Sequence, residues 1–170
     1  IVLASATAIG GGTLRDMMLD VPVFWIADTD YLYTTLIAAF IPIIWLRLSP
    51  RFPFHYLLIA DAFGLALFNV VGIEKALAND TGIAVAVAMG TITGVFGGLL
   101  RDVICREIPL VLNGELYAMT CVAGGVAYGI GMQLGYATTW CGVAALVTTV
   151  LFRLGAMRWH WQLPVFYKDH

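Results

Sequence analysis

Charge is what this sequence lacks most. Asp, Glu, Lys and Arg together make up 12% of its 170 residues, roughly half the 25% or so of an ordinary soluble domain. A soluble chain of this size has ample surface to cover with polar groups, so the deficit points to an integral membrane protein. Basic residues are not in surplus either, and the net charge of −2 excludes a nucleic-acid partner, because phosphates need a cationic excess to neutralise them. Cysteine is equally scarce. Cys105, Cys121 and Cys141 are odd in number and widely spaced, with no pairing pattern, and are expected to pack as small apolar residues.

Catalytic signatures are missing as well. His55, His160 and His170 are scattered and form no metal set. No Ser–His–Asp or Cys–His spacing occurs, and "GIGMQLG" at 129–135 lacks the strand context of a dinucleotide fingerprint. Neither an enzyme nor a bound cofactor is expected. No leader stands at the start, and the chain opens on Ile1 rather than methionine, so this is not expected to be the native start.

What is present is long apolar runs. The chain is 61% hydrophobic with a mean hydropathy of +0.88. A bilayer core about 30 Å thick needs about 20 mostly apolar residues per crossing, and six stretches meet or approach this: 1–19, 31–48, 56–77, 82–104, 114–133 and 137–157. Between them lie polar or proline-bearing breaks such as "DVPVFWIADTD", "SPRFPFH" and "REIPLVLNGE". The pattern predicts an all-α polytopic bundle, residues 1–170 forming one membrane domain with the lipid bilayer as its main partner. One face collects Arg47, Arg51, Arg101, Arg106, Arg153, Arg158 and Lys168, the other only Arg15 and Lys75. The excess of Lys and Arg on cytoplasmic loops then places the C-terminus inside. Trp25, Trp45, Trp140, Trp159 and Trp161 stand at or beyond helix ends, where amphipathic rings prefer to lie.

Two strings raise the next question: "GGGTLRD" at 10–16 and "GGLLRD" at 97–102. Shifting the sequence by 86 residues aligns Thr7 with Thr93, Gly11 with Gly97, Gly12 with Gly98, Arg15 with Arg101 and Asp16 with Asp102. Tyr31 meets Tyr117, and Pro22 and Pro109 follow at nearly the same distance. This is an internal duplication, with a first repeat over 1–50, a second over 56–135 and a final helix at 137–157. The second repeat begins with the helix 56–77, which has no counterpart before the first motif. Six helices are therefore expected in this chain and seven in the native protein, the extra one upstream of Ile1. Three crossings per repeat invert the second copy relative to the first, the plan of many transport proteins.

Glycine in a helix interior costs roughly 1 kcal/mol relative to alanine, so a repeated glycine cluster needs a reason. Thr7, Gly11 and Arg15 share one helical stripe, as do Thr93, Gly97 and Arg101. Glycine permits close approach or a break in the hydrogen-bond ladder, and freed carbonyls can coordinate a cation where they line a wet cavity. The candidate kink residues are Gly10, Gly11, Gly12, Gly97 and Gly98. The candidate polar lining is Thr7, Thr13, Thr93, Arg15, Asp16, Arg101, Asp102 and Asp61. Helical rise places Asp61 and Arg101 at similar depth, and a charge there finds a partner or water, so the two are expected to pair. The plainer readings are glycine packing, as at Gly90 and Gly94 or Gly125 and Gly129, and arginines that snorkel to the headgroups. Recurrence of the whole constellation in inverted sense favours the functional reading.

The strings "ATAIGGGTLRDMMLDVP" and "GTITGVFGGLLRDVICREIP", with "DAFGLALFNVVGIEKAL" between them, resemble the prokaryotic TRIC (trimeric intracellular cation) channel family. The resemblance implies a seven-helix fold, a homotrimer in a bacterial or archaeal plasma membrane, and one pore per protomer. It also implies potassium-permeable conduction past kinks at Gly10, Gly11 and Gly12 and at Gly97 and Gly98. Phe96 departs from it by taking the first place of the second triplet, where its ring would stiffen the kink or form an apolar constriction. A cation channel and a secondary carrier of a small zwitterion such as glycine, a role attributed to some bacterial relatives, both remain open on the residues. A purely structural membrane protein fits the duplicated motif poorly.

Overall fold

A computed structural model describes residues 2–48, 54–112, 116–159 and 161, with backbone alone for 42–48, 54 and 55. Arg51, His160, Lys168 and His170, and the side chains of Trp45, Arg47 and His55, lie outside the described set. The described residues form α1 (Val2–Met18), α2 (Phe24–Ala27), α3 (Asp30–Leu48), α4 (Phe54–Leu77), α5 (Ile83–Cys105), a 3-10 turn (Leu110–Leu112), α6 (Tyr117–Gln133) and α7 (Thr138–Trp159). The six long helices match the six apolar stretches. Tyr56–Leu77, Ile83–Cys105 and Thr138–Trp159 are each long and apolar enough to cross a membrane. At 17 residues each, α1 and α6 rise about 25 Å.

The breaks are more ordered than their composition predicts. Asp20 and Arg106, 86 positions apart, both turn left-handed at φ 53° and φ 59°, a region non-glycine residues seldom enter. Each ends its motif helix in the same way. Val21 N donates to Asp16 O at 3.0 Å, and Glu107 N donates to Asp102 O at 2.9 Å, each capping a carbonyl of the last turn. A short helical turn then starts at the equivalent residue in each copy, Phe24 and Leu110. The duplication therefore extends through loops that the sequence reads only as interruptions.

One core of Val70, Ile73, Ala86, Met89, Tyr128 and Ala145 joins α4, α5, α6 and α7. A second, of Leu65, Val95, Tyr117 and Cys121, lies between α4, α5 and α6. Cys121 and Cys141 pack as expected, whereas Cys105 is exposed at the end of α5. α1 packs chiefly along α5, and α3 leans on α1 and α2. The outward faces carry Ile37, Phe63, Leu67, Val147 and Leu151, an apolar exterior suited to lipid.

Candidate functional site

The two motif helices cross at their glycines. A methyl built on Gly97 would meet the carbonyl oxygen of Thr7 at 2.5 Å, and one built on Gly11 would strike the carbonyl oxygen of Thr93. These contacts are reciprocal under the 86-residue shift. Because 7 faces 97 while 11 faces 93, α1 and α5 run antiparallel, as the inverted repeat requires. Each glycine touches the carbonyl to which its counterpart's amide donates one turn along its own helix.

This arrangement corrects one expectation. Both helices are continuous through Gly10, Gly11, Gly12, Gly97 and Gly98, so the ladder is not unwound and no carbonyl is freed there. Here the missing side chains bring the backbones together instead, which is the usual role of small residues between membrane helices. The threonines conform: Thr7 Oγ1 donates to Leu3 O at 2.8 Å and Thr93 Oγ1 to Met89 O at 2.6 Å. Thr13 Oγ1 donates to Ile9 O and accepts from Trp25 Nε1 at 2.9 Å, tying α2 to α1. Phe96 is half-buried beside Gly97.

Six residues beyond the crossing on each helix, roughly 9 Å at 1.5 Å per residue, stand the arginines, one toward either end. Each turns back to its neighbour: Arg15 Nε donates to Asp16 Oδ1 at 2.8 Å, and Arg101 Nε to Asp102 Oδ1 at 2.8 Å. The second carboxylate oxygen accepts from a backbone amide eight residues on, Phe24 N at 2.9 Å and Leu110 N at 3.0 Å. The Arg–Asp pair is thus a clamp that neutralises a buried cation and pins the following turn. Asp16 is fully buried and Asp102 nearly so.

The Arg101 end holds more. Asp61 on α4 accepts from Arg101 Nη1 at 2.8 Å through Oδ1, which makes the expected pair, and from the Tyr117 hydroxyl at 3.0 Å through Oδ2. The guanidinium of Arg153 lies over the Tyr117 ring, 4.6 Å from its centroid, a cation–π geometry. Arg153 is 0% exposed, although its position in the sequence placed it with the loop charges. A cavity of about 50 Å³ opens here, bounded by Leu58, Asp61, Arg101, Asp102, Glu107 and Leu110. Among the described residues no cluster of His, Cys, Asp and Glu could hold a metal ion.

Four further residues escape the sequence reading. Tyr117 was noted only as a repeat match, and Arg153 only as a positive charge. Asn69 is fully buried in α4, where its Nδ2 donates to Cys121 O at 3.0 Å and to Thr149 Oγ1 at 3.3 Å. Thr149 in turn donates to Ala145 O. An asparagine in the middle of an apolar run is the signal that marks Asn69, since a polar group there needs partners.

Two antiparallel copies of one Gly–Arg–Asp helix, clasped at their glycines within a helical bundle, define a multi-pass membrane protein of the inverted-repeat class. The family model described as Glycine transporter matches residues 1–47 and 58–133, and the chain belongs to that family. A UPF0126 membrane protein of Vibrio cholerae is 46% identical over 166 residues, which are 97% of this chain and 70% of the relative. The UPF0126 inner membrane protein YadS of Escherichia coli is 42% identical, across 99% of this chain and 83% of its own. Solved structures agree with the likeness read from the motifs. A TRIC cation channel structure matches with a TM-score of 0.85 and 30% identity, covering 98% of this chain and 82% of that one. The TRIC trimeric intracellular cation channel orthologue from Rhodobacter sphaeroides matches at 0.85 and 34%, covering 92% and 80%. These neighbours are channels rather than enzymes.

Proposed function

We propose that this protein conducts monovalent cations, potassium among them, along a path within each protomer between the two glycine-motif helices. The observation that carries this reading is the reciprocal contact of Gly11 with the Thr93 carbonyl and of Gly97 with the Thr7 carbonyl. Parting the helices and unwinding the ladder at that crossing would present two main-chain oxygens, related by the pseudo-two-fold axis, to a solute near the midplane. Oxygens of this kind can replace the hydration shell of a cation. The unbroken, clasped crossing is then the closed state. The likeness to TRIC channel structures supports the reading, and with it a homotrimer. The name of the Escherichia coli relative supports an inner-membrane location, and the lysine and arginine bias supports a cytoplasmic C-terminus.

The family description favours a second reading, secondary transport of glycine. Two separable helices in an inverted repeat suit a zwitterion as well as a cation. Purified protein in potassium-loaded liposomes separates the two. Conduction predicts rubidium tracer uptake that does not saturate at millimolar concentration and is indifferent to internal glycine. Glycine counterflow with no rubidium uptake would support the carrier and overturn the channel.

A further inference from the structure

The end of the bundle away from Arg101 and Arg153 carries a second recess, separate from the motif helices. α6 and α7 are joined there by four residues, 134–137, and the chain turns at Gly135 with φ 80°. The two helices meet closely at one point, where a methyl built on Gly131 would reach Cys141 Sγ at 2.8 Å. The Cys141 thiol donates to the Tyr136 carbonyl at 3.6 Å and helps to form the floor. Ala127 on α6 and Ala144 on α7 are too small to close the space beside it. The result is a groove of about 430 Å³ with no charged side chain in its lining, a size that takes a small-molecule ligand.

Depth decides what can fill it. Ala127 and Ala144 each lie six residues inside their helix ends at Gln133 and Thr138, so the groove descends about 9 Å into the apolar span at 1.5 Å per residue. Its mouth is rimmed by Tyr136 and Trp140, 62% and 66% exposed, at the level where amphipathic rings meet headgroups. A protein partner fits poorly, because eight residues line the groove and a stable protein interface takes roughly 20–30 a side. An acyl chain fits well. Electrostatics then narrow the headgroup. The negative dipole end of α6 and the positive end of α7 flank the same four-residue turn, a pairing that suits a zwitterion. The exposed rings offer their faces to a cation. The charge packed against this stretch of α7 is acidic, since a methyl on Gly142 would meet Glu74 Oε1 at 3.1 Å. With no cation in the lining, an anionic headgroup gains no counter-ion.

We propose that this groove binds one phospholipid with a zwitterionic, primary-amine headgroup of the phosphatidylethanolamine type. One acyl chain lies between α6 and α7 over Gly131 and Cys141. The ammonium sits against Tyr136, Trp140 and the C-terminus of α6. The site makes no contact with the Gly–Arg–Asp crossing, and it stands whether the protein is a channel or a carrier.

Native mass spectrometry of the delipidated protein, titrated with phosphatidylethanolamine or phosphatidylglycerol of identical chains, tests the site. The parent is expected to retain one phosphatidylethanolamine per protomer, roughly fivefold more tightly than phosphatidylglycerol, the scale of one cation–π contact. Ala144→Phe fills the groove from an exposed position, and Trp140→Ala removes part of the rim. Each is expected to weaken retention by a similar factor, while Val126→Phe, on the outward face of α6, leaves it unchanged. A phosphatidylethanolamine with a photoreactive acyl chain, applied to the parent alone, should crosslink within residues 127–144. Equal retention by the parent and the groove variants, or crosslinks spread over other helices, overturns the site. Equal affinity for the two lipids overturns the headgroup assignment. If Ala144→Phe changes the number of protomers and keeps its lipid, the face belongs to contacts between copies and the proposal is overturned.

Discussion

The Cα of Gly97 lies so close to the carbonyl oxygen of Thr7 that a methyl added there would come within 2.5 Å of it. The obstacle is backbone rather than the end of a flexible side chain, so the helices themselves must part to admit it. Gly97→Ala is therefore expected to destabilise the protein by about 1–3 kcal/mol, the usual effect of overpacking, and Gly11→Ala by a similar amount. Gly64 on α4 has nothing within 4 Å of an added methyl, and Gly64→Ala should be neutral or stabilising by up to about 1 kcal/mol. Thermal unfolding of the three variants in one detergent measures the order. A Gly97→Ala protein as stable as Gly64→Ala would remove the clasp.

Asp61 and Arg101 should behave as a coupled pair. The side chains are 9% and 19% exposed and their ion pair spans 2.8 Å, so solvent screens it only in part. A double-mutant cycle with Asp61→Asn and Arg101→Gln is expected to return a coupling of about 1–3 kcal/mol in unfolding free energy. Strict additivity would show that the contact contributes nothing.

The two Arg–Asp clamps are alike in geometry but not in reserves. Asp102→Ala leaves Arg101 paired with Asp61, whereas Asp16→Ala leaves Arg15, 4% exposed, with no other carboxylate partner among the described residues. An orphaned buried charge destabilises by about 3–5 kcal/mol. Loss of a carboxylate that leaves its arginine a second partner should cost about 1–3 kcal/mol. Asp16→Ala should accordingly be the more damaging of the two, as read by denaturant unfolding or by folded yield. Equal effects would contradict the assignment.

Asn69 ties α4 to α6 and α7 through one amide group. Hydrogen bonds between membrane helices are modest, about 0.6 kcal/mol on average and up to about 1.7. Asn69→Ala is expected to lower stability by about 1 kcal/mol, and adding Thr149→Ala should cost less than it does alone. Unfolding of the single and double variants checks this sub-additivity.

Much of this arrangement was legible in the chain. Apolar runs fixed six helices to within a few residues, because length and hydropathy dominate in a bilayer. The repeated Gly, Arg and Asp revealed the duplication and its inversion, and helical rise paired Asp61 with Arg101. The role of the glycines was harder to read. Composition says that a helix can bend or pack closely at Gly97, but only the position of the Thr7 carbonyl decides between the two. Tyr117 and Arg153 were missed for a related reason: a tyrosine at a helix start and an arginine near a helix end look like interfacial residues until the bundle closes over them. The turns at Phe24 and Leu110 hang on single carboxylates eight residues upstream, a link that local periodicity does not carry.

Single-channel recording in a planar bilayer separates a pore from a carrier. With the purified protein under a tenfold potassium chloride gradient, unitary current steps are expected that reverse near the potassium equilibrium potential. A silent bilayer from protein that still exchanges glycine in liposomes would contradict the pore.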